Sequence, residues 1–466
     1  MTAPTPHQPV AGPARNRQVR LLGTRTVVPT VVLAVAALMA PSAAAATSGA
    51  EAEAVEPGSN QDNAPTLQPG AHYTSTFGSE TSYYRVARTM EESALHVGIS
   101  THNHQGEHSD EAQIELGTLQ GANCDDERMG FSGSVPSSLF RTAEVSAIPP
   151  LDPDHHSATP DCGDADELLL AVSTTADDIV GTDYELIIGE EPEPLNADEL
   201  RESFDGEDWD ADAAWQQVQR DRDAQNAIEP GTTLLDAAPL EEATTYDAAL
   251  QPGDVHIYRM GAGWNQLIQA EAFFPEPSSE LAENLSGQWA RLDIIGPHRG
   301  EAVPTSHRAA GEQNAGGRID DSNATTLTTA TYPVVWNGRY AGWPSGTNAH
   351  HTSISGDYFL IVSAEPQDDS AEPFEIPYRL TADTFTVADQ EEPVYAESIL
   401  QPGDSPAGQN GSGASEEQDQ EGEALAGERT GGISAAAGIA MSLGAFGLLL
   451  IAAGGLFLLR LSRQNQ

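Results

Sequence analysis

The chain has 466 residues, with 71 Asp plus Glu against 21 Arg and no Lys, giving a formal net charge of −50. So acidic a surface repels phosphate backbones, which excludes nucleic-acid binding. A hydrophobic fraction of 39% supports packed cores, while 43 Gly and 31 Pro point to turn-rich β structure over long soluble helices.

At the N-terminus, Arg15, Arg17, Arg20 and Arg25 precede an uncharged run from Thr26 to Ala40, and Ala43 to Ala46 offer small-residue cleavage positions. Residues 1–46 therefore read as a secretory signal, with the mature chain beginning near Thr47. Neither a twin-arginine pair nor a cysteine for lipidation is present there, which leaves general secretion as the route.

Two segments then repeat at one offset. Ala64-Pro65, Tyr73 and Tyr84-Arg85 return as Ala238-Pro239, Tyr246 and Tyr258-Arg259, with Pro239, Tyr258 and Arg259 each 174 residues after their counterparts. At the far end, Tyr184-Glu185-Leu186-Ile187-Ile188 matches Tyr358-Phe359-Leu360-Ile361-Val362 at the same spacing, each preceded by a glycine, Gly181 or Gly356. Duplication is the economical reading. Within the first copy, Leu95, Val97 and Ile99, then Ile114 and Leu116, then Leu168, Leu170 and Val172 alternate with period two, the mark of half-buried strands. Turn residues such as Gln68-Pro69-Gly70 and Gln251-Pro252-Gly253-Asp254 separate such runs. The expected fold is an all-β ectodomain of two tandem antiparallel β-sandwiches, over residues 64–190 and 236–388.

The run Tyr246-Asp-Ala-Ala-Leu-Gln-Pro-Gly-Asp254, followed by Ile257-Tyr258-Arg259 and by Gly356-Asp-Tyr358-Phe-Leu-Ile-Val362, resembles the bacterial pre-peptidase C-terminal domain. That resemblance implies a β-sandwich appended to exported proteins. In the first copy Phe77-Gly78-Ser79-Glu80 replaces the Leu-x-Pro-Gly-Asp turn, so its assignment leans on the repeat.

Between the copies, residues 191–235 read as an acidic, partly helical connector, with Asn196 placed to cap a helix through Leu200 and Phe204 and a second stretch around Trp215 to Arg222. Residues 389–430 carry too little apolar surface to offset ordering entropy and read as a disordered acidic stalk. From Ile433 to Leu459 no residue is charged, a run longer than the ~20 residues needed to span a bilayer. Arg460 and Arg463 follow, which puts the tail 460–466 in the cytoplasm and residues 47–432 outside. That ectodomain holds all 71 acidic residues and 15 of the arginines, a net charge of −56. A saline habitat and the Arg-for-Lys bias of GC-rich coding account for it equally well.

Chemistry-bearing residues are sparse. An exported pair, Cys124 and Cys162, is expected to form one disulfide. His102, His104 and His108 have metal-like spacing but no following Glu, and read as a solvated loop. Asp161, Asp164 and Asp166, and Asp208, Asp210 and Asp212, lack the Gly and Glu of an EF-hand and read as surface acidity. Gly130-Phe-Ser132-Gly-Ser134 misses the second glycine of a nucleophile elbow, and neither a phosphate-binding loop nor a dinucleotide fingerprint is present. The sequence thus assigns no catalytic, cofactor or metal residues. It leads to a single-pass cell-membrane protein displaying two non-catalytic sandwiches that bind an envelope polymer or a membrane-protein partner. The alternative is an accessory subunit of an envelope enzyme or secretion complex.

Overall fold

The computed structural model describes residues 52–102, 111–130, 139–151, 160–175, 177, 179–203, 218–221, 223, 226–285, 287–303, 315–340, 348–366, 373–386 and 390–401. The expected signal segment 1–46, the transmembrane span 433–459 and the tail 460–466 lie outside these residues, as does most of the expected stalk. Among the described residues no helix is long and apolar enough to cross a membrane.

The first half of the chain supplies ten strands: β1 (Glu53–Ala54), β2 (Thr66–Leu67), β3 (His72–Thr76), β4 (Ser82–Ala87), β5 (Ala94–His102), β6 (Glu111–Thr118), β7 (Asn123–Gly130), β8 (Phe140–Ala147), β9 (Glu167–Thr174) and β10 (Asp183–Glu191). They form two five-stranded sheets in the orders β1-β3-β10-β5-β8 and β2-β4-β9-β6-β7. Period-two patterning drives the pairing of the sheets: Leu95, Val97 and Ile99 of β5, Leu186 and Ile188 of β10, Leu168, Leu170 and Val172 of β9, and Ile114 and Leu116 of β6 all enter one apolar cluster.

The second half repeats this strand for strand. It contributes β11 (Asn226–Ala227), β12 (Ala238–Pro239), β13 (Thr244–Leu250), β14 (Val255–Ala262), β15 (Gln266–Phe274), β16 (Trp289–Ile295), β17 (Gly316–Arg318), β18 (Thr325–Ala330), β19 (Gly356–Ala364) and β20 (Ile376–Thr386). Their orders are β11-β13-β20-β15-β18 and β12-β14-β19-β16-β17, the first-half orders with each strand advanced by ten. A second apolar cluster, including Tyr258, Leu292, Leu360, Val362 and Leu380, fills the space between them. Ladders are antiparallel except at β1, β2, β11 and β12, which join their neighbours in parallel, so the sheets are not wholly antiparallel as expected.

The duplication is therefore present, but the closing strands do not match as the sequence alignment has them. Tyr84 faces Leu170 on β9, and Tyr258 faces Leu360 on β19, so β9 and β19 are counterparts. The counterpart of Tyr184 on β10 is Tyr378 on β20, not Tyr358: Tyr184 Oη lies 2.7 Å from Tyr84 Oη, and Tyr378 Oη lies 2.6 Å from Tyr258 Oη. A buried phenol needs a hydrogen-bond partner, and each core satisfies a pair of them mutually. The offset grows from 174 (84 to 258) to 190 (170 to 360) and 194 (184 to 378) because the second copy carries longer connections before its closing strands.

Other boundaries move as well. Residues 226–227, expected in the connector, are an edge strand of the second sandwich, and 53–54 are an edge strand of the first. The connector's one described helix is Ala197–Glu202, shorter than expected, and Asn196 makes no side-chain cap. Its amide instead donates to Glu391 Oε1 and Glu392 O and accepts from Val394 N. Residues 218–221 are not helical; Arg220 lies over the Phe273 ring and pairs with Glu271 of β15 at 2.5 Å. Residues 390–401, expected to begin the stalk, form a strap back to the first sandwich, where Leu400 and Glu190 exchange backbone hydrogen bonds of 2.8 and 3.0 Å.

Candidate functional site

A sheet covered on one face places polar side chains outward, toward water. The outward face of β5 carries His96, Gly98 and Ser100, that of β10 carries Glu185, Ile187, Gly189 and Glu191, and β8 adds Glu144. Yet His96, Ser100, Glu144 and Glu191 are buried. The second sandwich covers them, for both belong to one compact unit. The opposing face is the outward side of the sheet containing β14, β16 and β19. There Val255, Ile257, Ile295, Phe359 and Ile361 join Phe140 of β8 in an apolar cluster separate from both sandwich cores.

The contact is shaped by two glycines on neighbouring strands. A Cβ added at Gly98 would stand 2.3 Å from His298 O and 2.7 Å from Arg299 Cγ, and one at Gly189 would stand 2.1 Å from His298 Nε2. These strand positions therefore form a socket for the turn that follows β16. In that turn Arg299 takes a left-handed φ of 77°, and its guanidinium lies 4.5 Å from the Phe359 ring.

Polar groups meet within this seam. Glu144 Oε1 is 2.9 Å from His96 Nδ1, and its Oε2 is 2.9 Å from Nδ1 of His351, which lies in the short 3-10 helix Asn348–Thr352 of the second sandwich. The His96 and His298 rings stack at 4.5 Å with an 11° interplanar angle. Glu191 Oε2 lies 3.9 Å from His96 Nε2. That carboxylate also accepts from Arg339 at 2.7 and 2.9 Å, from Trp336 Nε1 at 3.0 Å and from Tyr395 of the strap. Burial alone would raise Glu144, but hydrogen bonds from His351 and His96 hold it well below the usual carboxylate range. The same contacts raise His351 against the opposing effect of burial, so an ion pair crosses the seam. Burial, with the neighbouring His96 adding to it, pushes His298 down to about 3 and keeps it neutral.

Behind Glu144, β7 closes the exposed edge of β8 with side chains. Glu127 Oε2 accepts from Glu144 N and Asp125 Oδ2 from Ser146 N, each at 2.8 Å, satisfying donors that an edge strand would leave open. Burial pushes Asp125 up to about 6, opposed by the Ser146 hydrogen bond and His351. The disulfide Cys124–Cys162 is formed, with a Cα–Cα distance of 5.7 Å, and ties β7 to the helix Pro160–Asp164.

The residues singled out by sequence lie elsewhere. His102 ends β5, exposed, with its ring edge toward Phe140 at 5.1 Å, and lines a cleft of about 470 Å³ with Glu229, Asp254 and His256. His104 and His108 lie outside the described residues, as do Asp208, Asp210 and Asp212 and Ser132 and Ser134. Asp164 and Asp166 line a cleft of about 280 Å³ with Glu91, Glu92 and Arg88, while Asp161 lies on the short helix beside it. Glu185 is half-buried with its carboxylate 3.4 Å from His72 Nε2. Sequence reasoning missed the seam because its members come from both copies and look like solvent-side positions. The available signal was Gly98 and Gly189 interrupting two strands on their polar faces.

No protein-family model matches the chain, and no curated protein matches it. Among solved structures it is similar to the human MASP-1/3 CUB1-EGF-CUB2 domain, at 7% identity over 66% of this chain and 94% of that one, with a TM-score of 0.14. It is also similar to the CBM22-1-CBM22-2 tandem domain of Paenibacillus barcinonensis Xyn10C, at 10% identity over 67% of this chain and 84% of that one, with a TM-score of 0.15. The extracellular domain of ANXUR2 from Arabidopsis thaliana follows, at 10% identity over 68% of this chain and 83% of that one, with a TM-score of 0.17. Likeness at these scores carries no argument about fold or function.

Proposed function

We propose that this chain is a membrane-anchored surface protein that presents its two sandwiches to a partner as one rigid, non-catalytic binding or scaffold module. The observation that carries this reading is the polar seam. Glu144, His351, Glu191 and Arg339 are spent on holding one sandwich to the other, which favours a scaffold role. A secretory signal over 1–46, the uncharged run Ile433 to Leu459 and its Arg flank support display outside the membrane. We read both copies as similar to pre-peptidase C-terminal domains, on the motifs around Tyr246 to Arg259 and Gly356 to Val362. The partner surface is then the outward faces of the two outer sheets, and the strong negative charge of the chain favours a cationic envelope component.

Protease added to intact cells tests the display. Loss of the ectodomain with retention of a short membrane-bound fragment is expected, and an ectodomain protected until the cells are opened would overturn the proposed topology. Recovery of one stoichiometric membrane protein from detergent extracts would favour the accessory-subunit role.

A further inference from the structure

The outer sheet of the second sandwich carries a piece of the connector on its outward face. Gln269, Glu271 and Phe273 take successive outward positions on β15, since Ile268, Ala270, Ala272 and Phe274 point into the core. Arg220 lies with its guanidinium 3.7 Å from the centre of the Phe273 ring, and its Nη1 donates to Glu271 Oε1 at 2.5 Å. Asp221 N donates to Thr245 Oγ1 of β13 at 2.9 Å, a second tie to the same sheet. We propose that Gln269, Glu271 and Phe273 form a binding site for an arginine side chain of a peptide partner, which Arg220 occupies as a built-in competitor. This rests on the reading that the partner is cationic and meets the outer sheets; it adds the side chain recognised and the segment that must leave.

The independent observation is that Arg220 fits this site incompletely. Gln269 Oε1 is buried without a hydrogen-bond partner, in a residue only 2% exposed, and Arg220 Nε is likewise buried and unpartnered. An acceptor and a donor left open in this way are each costly. Burial raises the Glu271 carboxyl more than Arg220 lowers it, so the resident cation compensates its desolvation only in part. Successive same-face positions on a strand lie roughly 7 Å apart, a span that two long side chains and one planar guanidinium with five donors can close. An arginine from a separate chain, free of the backbone tie at Asp221, can meet both Glu271 and Gln269 while its face stays on Phe273. The first sandwich shows the same face in use. With Tyr184 and Tyr378 as counterparts, the strand registers align His96, Gly98 and Ser100 with Gln269, Glu271 and Phe273. There the turn of the second sandwich fills the socket, and a Cβ on Gly98 would stand 2.7 Å from Arg299 Cγ. On both copies this face takes up an arginine-bearing segment.

The test titrates the full chain in detergent with the end-blocked peptide Gly-Arg-Gly, followed by saturation-transfer NMR in roughly 0.3 M NaCl to screen diffuse charge. R220Q should bind at least about tenfold more tightly than the wild type, because the competitor is gone. R220Q/F273L should lose that gain although its charge equals that of R220Q. R220Q/E271Q should lose it too, whereas R220Q/E115Q, of the same charge but altered at an exposed residue of the first sandwich, should keep it. An R220Q variant that binds no more tightly than the wild type would overturn the proposal, as would a gain that survives F273L. Gly-Lys-Gly bound as tightly as Gly-Arg-Gly would overturn the assignment to arginine. If the F273L variant does not fold, the comparison of E271Q with E115Q still decides the matter. Equal binding by every variant would overturn this site and leave the cationic-partner reading standing, and the protease test of display is independent of both.

Discussion

Replacing Gly98 by Ala isolates the seam from both cores, since the side chain added points away from the apolar interior of β5. Its Cβ would meet a backbone oxygen, His298 O, at 2.3 Å, and also Ile187 Cγ1 at 2.8 Å. A backbone atom cannot rotate away, so the turn after β16 must lift from β5. Overpacking of this kind costs about 1 to 3 kcal/mol. Against this, exchanging Gly for Ala inside a strand returns about 0.5 to 1 kcal/mol of conformational entropy. A net loss of about 1 to 2 kcal/mol is expected, read as a lower denaturation midpoint at unchanged m-value. Faster amide exchange should be confined to residues 296–301 and the neighbouring part of β5. Gly130→Ala is the control, because a Cβ there meets nothing within 4 Å and the same exchange should be neutral or slightly stabilising. If Gly98→Ala and Gly130→Ala behave alike, the socket does not set the fit between the sandwiches and the reasoning fails.

Removing the Cys124–Cys162 bond opens a loop with a sequence separation of 38 and should cost roughly 4 kcal/mol on the chain-entropy model, measured by denaturation of the double serine variant. Tyr378→Phe should cost about 1 to 3 kcal/mol, because it deprives both Tyr258 and His256 of their 2.6 and 2.8 Å partners. Tyr184→Phe should cost less, since Tyr84 keeps Ser75 at 2.7 Å; equal losses in the two variants would contradict the bonding described. Leu360→Ala should cost about 2 to 5 kcal/mol as a fully buried core truncation, checked in the same titration. Asp125 has its folded pKa raised from 3.8 to about 6, so its protonated form is the one folding favours. Its contribution is complete below pH 3.8 and is lost as the pH rises through about 6, by on the order of 3 kcal/mol. Asp125→Asn should flatten the stability profile in that window, and an unchanged slope would remove Asp125 as its source.

Much of the fold is legible in local pattern. Period-two runs at Leu95 to Ile99 and Leu168 to Val172 mark strands because each sheet covers one core face, and the Tyr84 and Tyr258 counterparts follow from a constant offset. The closing strands are harder. β9, β10 and β19 all read as apolar residues at alternate positions, so Tyr-x-Leu-x-Val on β19 resembles Tyr-x-Leu-x-Ile on β10 although they occupy different sheets. A second repeat, Glu56-Pro57-Gly58 and Glu229-Pro230-Gly231, opens the two copies, and Gly58 and Gly231 bridge to Tyr83 and Ile257 at matching places. The seam was illegible for a different reason. His96, Glu144 and Glu191 alternate with core residues as solvent-facing positions do, and only the docking of a second sandwich turns that face into an interior.

The claim that the two sandwiches move as one body is tested most directly by a spin-label distance measurement across them. Glu115 on β6 and Asp321 between β17 and β18 are exposed and belong to different sandwiches, and the native cysteines are already paired. With labels at Glu115→Cys and Asp321→Cys, the seam predicts a single narrow distance distribution. A broad distribution, of the kind produced by two domains on a flexible connector, would contradict it.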